Sequence, residues 1–318
     1  MSRPMKILGQ EILPGSSHVL KMDLAKLYTR TDLEIPIIVK RAKKDGPCLL
    51  LTAGIHGDET NGVEIVRQII ANKYNIPKAG TIICVPLLNV FGFINHSREF
   101  PDGRDLNRMF PGSKTGSLAS RFAHKFITQV ASQADVCIDF HTGGKMRFNY
   151  SHLRIGKGDD ELLELAKVFE SKFIMFAKQR ESSFRHEMSK MGKKILLFEG
   201  GKSLSLDRAV TRQGVAGTIR IMKHLGINDH THILNPDKAR EPILLENASW
   251  VRADHSGIYR SFIKVGDVVH KGDELGSVTD PFGLFTKTIK SKLDGYVLNN
   301  NHMPLVNQGD ALINIGLL

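Results

Sequence analysis

The chain is poor in the features that would tie it to a membrane, a disulfide scaffold or a nucleic acid. Only three of its 318 residues are cysteine, and Cys48, Cys84 and Cys137 each lie in an apolar run that reads as a buried strand. An odd, sparse, buried set argues for a reducing compartment and against a disulfide framework. No stretch approaches 18 consecutive apolar residues, which excludes an ordinary membrane-spanning helix. Met1 to Lys21 offers Arg3 and Lys6 but no continuous apolar core, so a secretory signal is not expected. The expected location is cytoplasmic. Aromatic residues make up 7% of the chain, and neither a zinc-finger spacing nor an RNA-binding signature occurs. The net charge of +11 would draw in small anions. Lys and Arg are nevertheless spread along the chain, with only short clusters such as Lys40–Lys44. They read chiefly as a solvated basic surface, and neither a nucleic-acid nor a membrane partner is expected.

What is present suits a globular protein: 41% hydrophobic and 24% charged residues allow one large core, or one large and one small. A homo-oligomer is compatible with this composition. From Cys48 to Leu225, short apolar runs alternate with longer amphipathic ones. Cys48–Thr52, Thr81–Leu87, Val136–Phe140 and Lys194–Phe198 read as strands buried on both faces. Asn61–Asn72, Ser117–Gln133, Asp159–Phe176 and Ser205–Leu225 carry helical periodicity. The expected fold is α/β, a mostly parallel sheet flanked by helices. His18–Leu24 and Leu33–Arg41 read as antiparallel strands added at its edge. After about residue 235 the texture changes to short strands broken by Gly-Asp turns, with Pro236 and Pro242 punctuating the change. Gly257-Ile-Tyr, Gly266-Asp and Gly272-Asp are echoed by Gly295-Tyr-Val and Gly309-Asp. Two such units of about forty residues predict a small β-barrel or sandwich. The expected division is therefore a catalytic α/β domain over 1–235 and a C-terminal all-β domain over 236–318.

Three stretches could carry chemistry. Gly54-Ile-His56-Gly-Asp-Glu59 places a His and a Glu where a strand hands over to a helix, so that both can face one metal ion. Asp139-Phe-His141, at the end of another strand, can supply a third ligand. Two imidazoles and one carboxylate with an open position make a catalytic zinc set rather than a closed structural one. Asp139 is placed to hold a ligand imidazole through its other nitrogen. The long polar loop from Ser97 to Gly112 carries Arg98, Arg104 and Arg108, which could neutralise a carboxylate or an oxyanion or simply pair with Glu99, Asp102 and Asp105. Ile195-Leu-Leu-Phe-Glu199-Gly-Gly ends an apolar strand on a lone acid, costly unless it is paired or opens into a cleft. His56, Asn89, His141 and Glu199 all fall at the C-terminal ends of strands, where α/β proteins gather their sites.

Gly54–Gly62, Asp105–Gly112, Asp139–Gly144 and Phe198-Glu199-Gly together resemble the succinylglutamate desuccinylase/aspartoacylase family, relatives of the zinc carboxypeptidases. The resemblance covers roughly residues 45–225, and the β-rich tail fits the family as well. It implies a carboxypeptidase-like catalytic fold and one Zn2+ per chain held by His56, Glu59 and His141. It further implies Glu199 as the general base, and Asn107 and Arg108 as holders of the substrate's free carboxylate. Arg98 matches the arginine that polarises the scissile carbonyl, and Arg185 a further anion contact. The implied substrate is a small anionic N-acyl amino acid. The stretch before Asp105-Leu-Asn-Arg108 differs from that of aspartoacylase itself, which argues against N-acetylaspartate.

Three other functions compete with the deacylase. A carboxypeptidase-like metallopeptidase could use the same metal and base. The tail also resembles lipoyl- and biotinyl-type carrier domains, but alignment through Ile289–Gly295 puts Leu284 where the modifiable lysine belongs. A basic nucleic-acid binder has only net charge behind it.

Overall fold

The computed structural model describes residues 3–26, 30, 32–234 and 241–318. A short hairpin, β1 (Lys6–Ile7) and β2 (Gln10–Glu11), leads into the antiparallel pair β3 (Ser17–Lys26) and β4 (Asp32–Arg41). The chain continues through β5 (Lys44–Ala53), α1 (Thr60–Ala71), β6 (Ala79–Val85) and the short α2 (Val90–Ile94). A long loop then reaches α3 (Leu118–Gln129), followed by β7 (Val136–Gly143), β8 (Arg147–Ile155), α4 (Asp160–Phe169) and β9 (Phe173–Phe176). Next come α5 (Phe184–Lys190), β10 (Lys194–Lys202) and α6 (Arg208–His224). The remaining strands are β11 (Ile243–Leu245), β12 (Asn247–Arg252), β13 (Gly257–Ser261), β14 (Val268–Val269) and β15 (Glu274–Thr279). They are followed by β16 (Thr286–Lys290), β17 (Gly295–Asn301), β18 (Leu305–Val306) and β19 (Ala311–Leu317).

One large sheet runs in the order β12-β19-β17-β8-β10-β7-β5-β6-β4-β3. Its centre, β6-β5-β7-β10, is parallel, and the pleat sends alternate residues to opposite faces. On one face Leu49, Leu51 and Phe140 pack with Ile65 and Ile69 of α1, Leu165 and Phe169 of α4, and Ile221 of α6. On the other, Cys48, Leu50 and Cys137 pack with Phe122 and Phe126 of α3 and Phe184 and Met188 of α5. Helices therefore cover both faces, as the alternating pattern implies. The sheet as a whole is mixed, however, and not mostly parallel. Only residues 144–146 join β7 to β8, so the chain must reverse, and β10 inserts between the two, antiparallel to β8. Strand β17 then adds antiparallel to β8, so the tail extends the same sheet.

Element boundaries differ from the sequence pattern where a cap intervenes. The helix expected over Asp159–Phe176 ends at Phe169, because Glu170 adopts a left-handed conformation (φ 60°). Phe173–Phe176, an apolar run, is strand β9. Ser117 and Asp207 cap α3 and α6 by accepting backbone N–H bonds, the usual reason short polar residues begin helices. Strand β8 and helix α5 had no counterpart in the sequence pattern. The expected boundary between residues 235 and 236 lies outside the described residues.

In the tail, the four-stranded sheet β16-β15-β13-β18 faces β17 and β19 across a core of Tyr259, Leu275, Val278, Val297, Leu312 and Ile315. This is a sandwich, one layer of which belongs to the large sheet. The repeated Gly-Asp pairs are three versions of one turn. Asp267, Asp273 and Asp310 each accept the backbone N–H three residues earlier, from Lys264, His270 and Asn307. The preceding Gly266, Gly272 and Gly309 take positive φ, near 90°, where glycine carries no steric penalty. Leu284 sits exposed in the turn joining β15 to β16.

Glycine at position 57 has a different cause. A Cβ built there would lie 1.9 Å from the carbonyl carbon of Gly92, so the His56 turn touches the α2 backbone directly. Gly57→Ala should therefore cost about 3 kcal/mol or more of unfolding free energy, because backbone rather than a flexible side chain must yield. Denaturant unfolding measures this; a stability within about 0.5 kcal/mol of the parent, the range of a neutral surface change, would refute the close packing.

Candidate active site

Strand β5 delivers His56, and Glu59 follows as the residue just before α1. Glu59 occupies the helix N-cap but makes no capping hydrogen bond with its side chain, so its carboxylate turns away from the helix. It is 2% exposed. Its Oε1 meets His56 Nδ1 at 2.7 Å and its Oε2 meets His141 Nδ1 at 3.0 Å. Thr142 donates its backbone N–H to Oε2 at 3.0 Å. Ligand atoms of His56, Glu59 and His141 all lie within 4.8 Å of one another.

The outer nitrogens settle how these rings are held. His141 Nε2 lies 2.9 Å from Asp139 Oδ2, and both residues project from one face of β7, two positions apart. Asp139 is itself anchored by Thr52 of β5, whose hydroxyl donates to Oδ1 at 2.8 Å. His56 Nε2 lies 3.1 Å from Asp105 Oδ1. Each ring thus has Nε2 against its own carboxylate and Nδ1 turned inward, the arrangement that presents a neutral imidazole lone pair to a metal. Two imidazoles and one carboxylate with an open side fit a catalytic zinc site. The carboxylates around both rings favour positive charge at this point. Burial alone would lower the pKa of both rings, but Glu59 with Asp105 raises that of His56, and Asp139 with Glu59 raises that of His141. Burial alone would raise the Glu59 pKa, yet the two imidazoles hold it well below the ordinary carboxylate range.

The loop arginines divide. Arg98 donates to Asp105 Oδ2 through Nε and Nη2 and reaches Glu59 Oε1 at 3.4 Å, so it stands beside the candidate metal-binding cluster. Arg104 pairs with Asp102 away from the cavity, as a surface charge. Arg108 donates to the Asn107 carbonyl at 2.6 Å and lines the cavity. Asn107 spends its Oδ1 on the backbone N–H of Phe184, at 2.8 Å. Only its amide nitrogen remains for a ligand, and the same bond ties the loop to α5. Arg185, from α5, is buried, donates to the carbonyls of Ala177 and Lys178, and has an unpartnered Nη1. Burial, with Arg154 alongside, pushes its pKa down to about 10 against the opposing charges of Glu199 and Asp139. Glu199, on β10, is level with His141 of the adjacent strand. Asn89 is structural: it caps α2 and donates to the carbonyls of Arg98 and Glu99, shaping the loop.

The eight residues that the family resemblance assigns to the site (His56, Glu59, Arg98, Asn107, Arg108, His141, Arg185 and Glu199) line one cavity of about 360 Å3. Arg147, Arg154, Lys178 and Arg180 join them, so these four cations line this space as well.

Residues 45–225, more than half of the chain, match the succinylglutamate desuccinylase/aspartoacylase catalytic domain. This chain belongs to that family. It is 29% identical, over 87% of its length and 84% of the relative's, to an N-alpha-acetyl-L-2,4-diaminobutyric acid deacetylase of Halomonas elongata. Its fold resembles a succinylglutamate desuccinylase from Silicibacter sp. TM1040 (TM-score 0.85, 22% identity, 99% of this chain and 98% of that one). It also resembles the ectoine utilization protein EutE (DoeB) from Ruegeria pomeroyi in its product-bound form (TM-score 0.83, 24% identity, 99% and 98%). The family's members mark this chain as an amidohydrolase.

Sequence reasoning misses Asp105 as the carboxylate behind His56, because its setting in the arginine loop suggests only a partner for those arginines. It also misses Asn149, Arg154, Trp250 and Asn299, which line the cavity from β8, β12 and β17. No motif marks those positions, since they reach the cavity only through strand pairing across the sheet. The metal assignment has a direct check. His56→Ala and His141→Ala should abolish binding of about one zinc per chain, measured by metal analysis after dialysis. Asp105→Asn and Asp139→Asn should weaken it roughly 10–100-fold. Full metal retention in both histidine variants would refute the site.

Proposed function

We propose that the protein is a zinc-dependent amidohydrolase cleaving the linear amide of a small anionic N-acyl amino acid, with one Zn2+ per chain on His56, Glu59 and His141. The observation that carries this reading is the pair of imidazoles, each backed by its own carboxylate, in one cavity with Glu199 and a ring of arginines. Zinc at that position supplies Lewis acidity toward water and the amide carbonyl. Glu199 takes the proton of the attacking water and passes it to the leaving amine. Arg98, beside the ligands, faces the negative charge that develops on the carbonyl oxygen. Arg108 and the Asn107 amide hold the substrate carboxylate, and Arg185, with a donor unspent, is the further anion contact.

A carboxypeptidase-like peptidase would use the same groups, but a cavity of about 360 Å3 lined also by Trp250 and Asn299 of the tail suits a small molecule better than a peptide. No helix among the described residues is long and apolar enough to cross a membrane. Three buried, unpaired cysteines support the cytoplasmic setting.

Glu199→Gln should retain zinc and fold while losing activity by about 100-fold or more on a panel of N-acetyl and N-succinyl amino acids. Near-normal turnover would mean that another group activates the water. Arg108→Ala should lower kcat/KM for free acids by about 2–3 kcal/mol in transition-state binding and should discriminate less between an acid and its methyl ester. Arg98→Ala should depress kcat for both forms. Equal, small effects of the two variants on acid and ester would remove the loop from the active site.

A further inference from the structure

We infer that Asn299, brought by the C-terminal strand β17, positions the general base through a relay, Asn299 to Asn149 to Glu199. The inference rests on Glu199 being the base and adds what holds it. Asn149 Nδ2 donates to Glu199 Oε2 at 2.8 Å, and Asn299 Nδ2 donates to Asn149 Oδ1. Asn149 and Asn299 are directly paired across β8 and β17, are 4% and 5% exposed, and line the cavity with Glu199.

The charge of Glu199 sets the polarity of this chain of bonds. An ionised carboxylate only accepts, so Asn149 must turn its Nδ2 to it. Its Oδ1 then faces Asn299, which must answer with Nδ2; flipping either amide would set two acceptors against each other. Asn299 Oδ1 is left buried without a partner, a cost that the fold alone does not require. The next residue along the strand points the other way. Asn300 bonds Tyr259 and Ser261 inside the tail sandwich, so neighbouring asparagines serve the tail's core and the site separately.

Glu199 Oε1 is faced from the other side by Arg154 Nε at 3.8 Å. Arg154 Nε also donates to His152 Nε2 at 3.2 Å, while His152 Nδ1 donates to the Tyr150 carbonyl at 2.7 Å. The carboxylate is thus held between an amide and a guanidinium. Its terminal torsion is otherwise broad, and two proton transfers require its oxygens to stay in place. The tail then belongs to the catalytic apparatus as well as to the cavity wall.

The test uses zinc-loaded full-length protein with Asn299→Leu, which keeps the branched shape and removes the hydrogen bonds, Asn149→Ala, and the double variant. Each single variant should lose about tenfold in kcat, with KM and zinc content within about twofold. The double variant should be no slower than the slower single one, because both cut the same relay. Asn300→Ser, in the tail core, should lower the Tm and leave kcat unchanged. If Asn299→Leu does not fold, Asn299→Ser takes its place. A normal kcat in the Asn299 variant, a loss confined to KM, or multiplying single effects would each overturn the inference. Glu199→Gln assayed in parallel separates the two readings. Near-normal turnover there removes the base assignment itself, whereas an inactive Glu199→Gln beside an unimpaired Asn299 variant removes the relay alone.

Discussion

The site depends on one buried carboxylate. Glu59 is almost fully removed from water, a state that would cost several kcal/mol for an unpaired anion, and it is compensated by two imidazoles, a backbone N–H and an arginine. These partners come from three places in the chain: His56 from the turn after β5, His141 and Thr142 from the end of β7, and Arg98 from the loop after α2. Those parts must therefore be assembled before Glu59 is satisfied, and once assembled they define a small space with the two Nδ1 atoms facing inward. The carboxylates of Asp105 and Asp139 extend the same logic outward, since each fixes the ring whose inner nitrogen must stay free. Asp105 has a second duty: its other oxygen holds Arg98, so ligand orientation and placement of that arginine are coupled through one side chain.

The distribution of charge follows from this. Among the described residues, six arginines and a lysine line the cavity, against Glu59 and Glu199 as acids. With Glu59 consumed by imidazoles, Glu199 is left as the acid facing the cations, so the cavity carries a strongly positive field in a partly enclosed space. Such a field concentrates small anions, and it gives the overall excess of basic residues a local purpose that composition alone does not reveal. The unspent donor on Arg185 belongs to the same pattern: a buried guanidinium with one free edge is stabilised when an anion arrives.

The tail is joined to this centre by backbone pairing. Because β17 pairs with β8, and β8 with β10, a residue on the C-terminal strand lies two strands from Glu199. Trp250 approaches from β12, and Arg147 stacks over its ring at 5.6 Å. A sandwich that shares a layer with the large sheet can thus shape the cavity through strand pairing.

Much of this was legible in the chain itself. A strand ending in Gly-Ile-His-Gly-Asp-Glu, another in Asp-Phe-His and a third in Phe-Glu-Gly name the inner site, because those side chains are carried by local geometry: strand ends, a helix start, and a two-residue period that puts Asp139 beside His141. The Gly-Asp pairs likewise announced their turns. Periodicity could not disclose the antiparallel insertion of β10 between β7 and β8, the strand character of Phe173–Phe176, or the fact that Asp105 meets His56 and not only an arginine. Nor could it place Asn149, Arg154 and Asn299 around Glu199. Those contacts depend on which strands become neighbours and in what register, and that is decided by packing over the whole sheet, where residues 49 to 150 positions apart become hydrogen-bond partners. The sequence by itself determined the chemical groups and the ends of the strands that carry them; the tertiary structure alone decided what holds those groups in place, because a side chain's second partner is chosen by sheet register and not by its own segment.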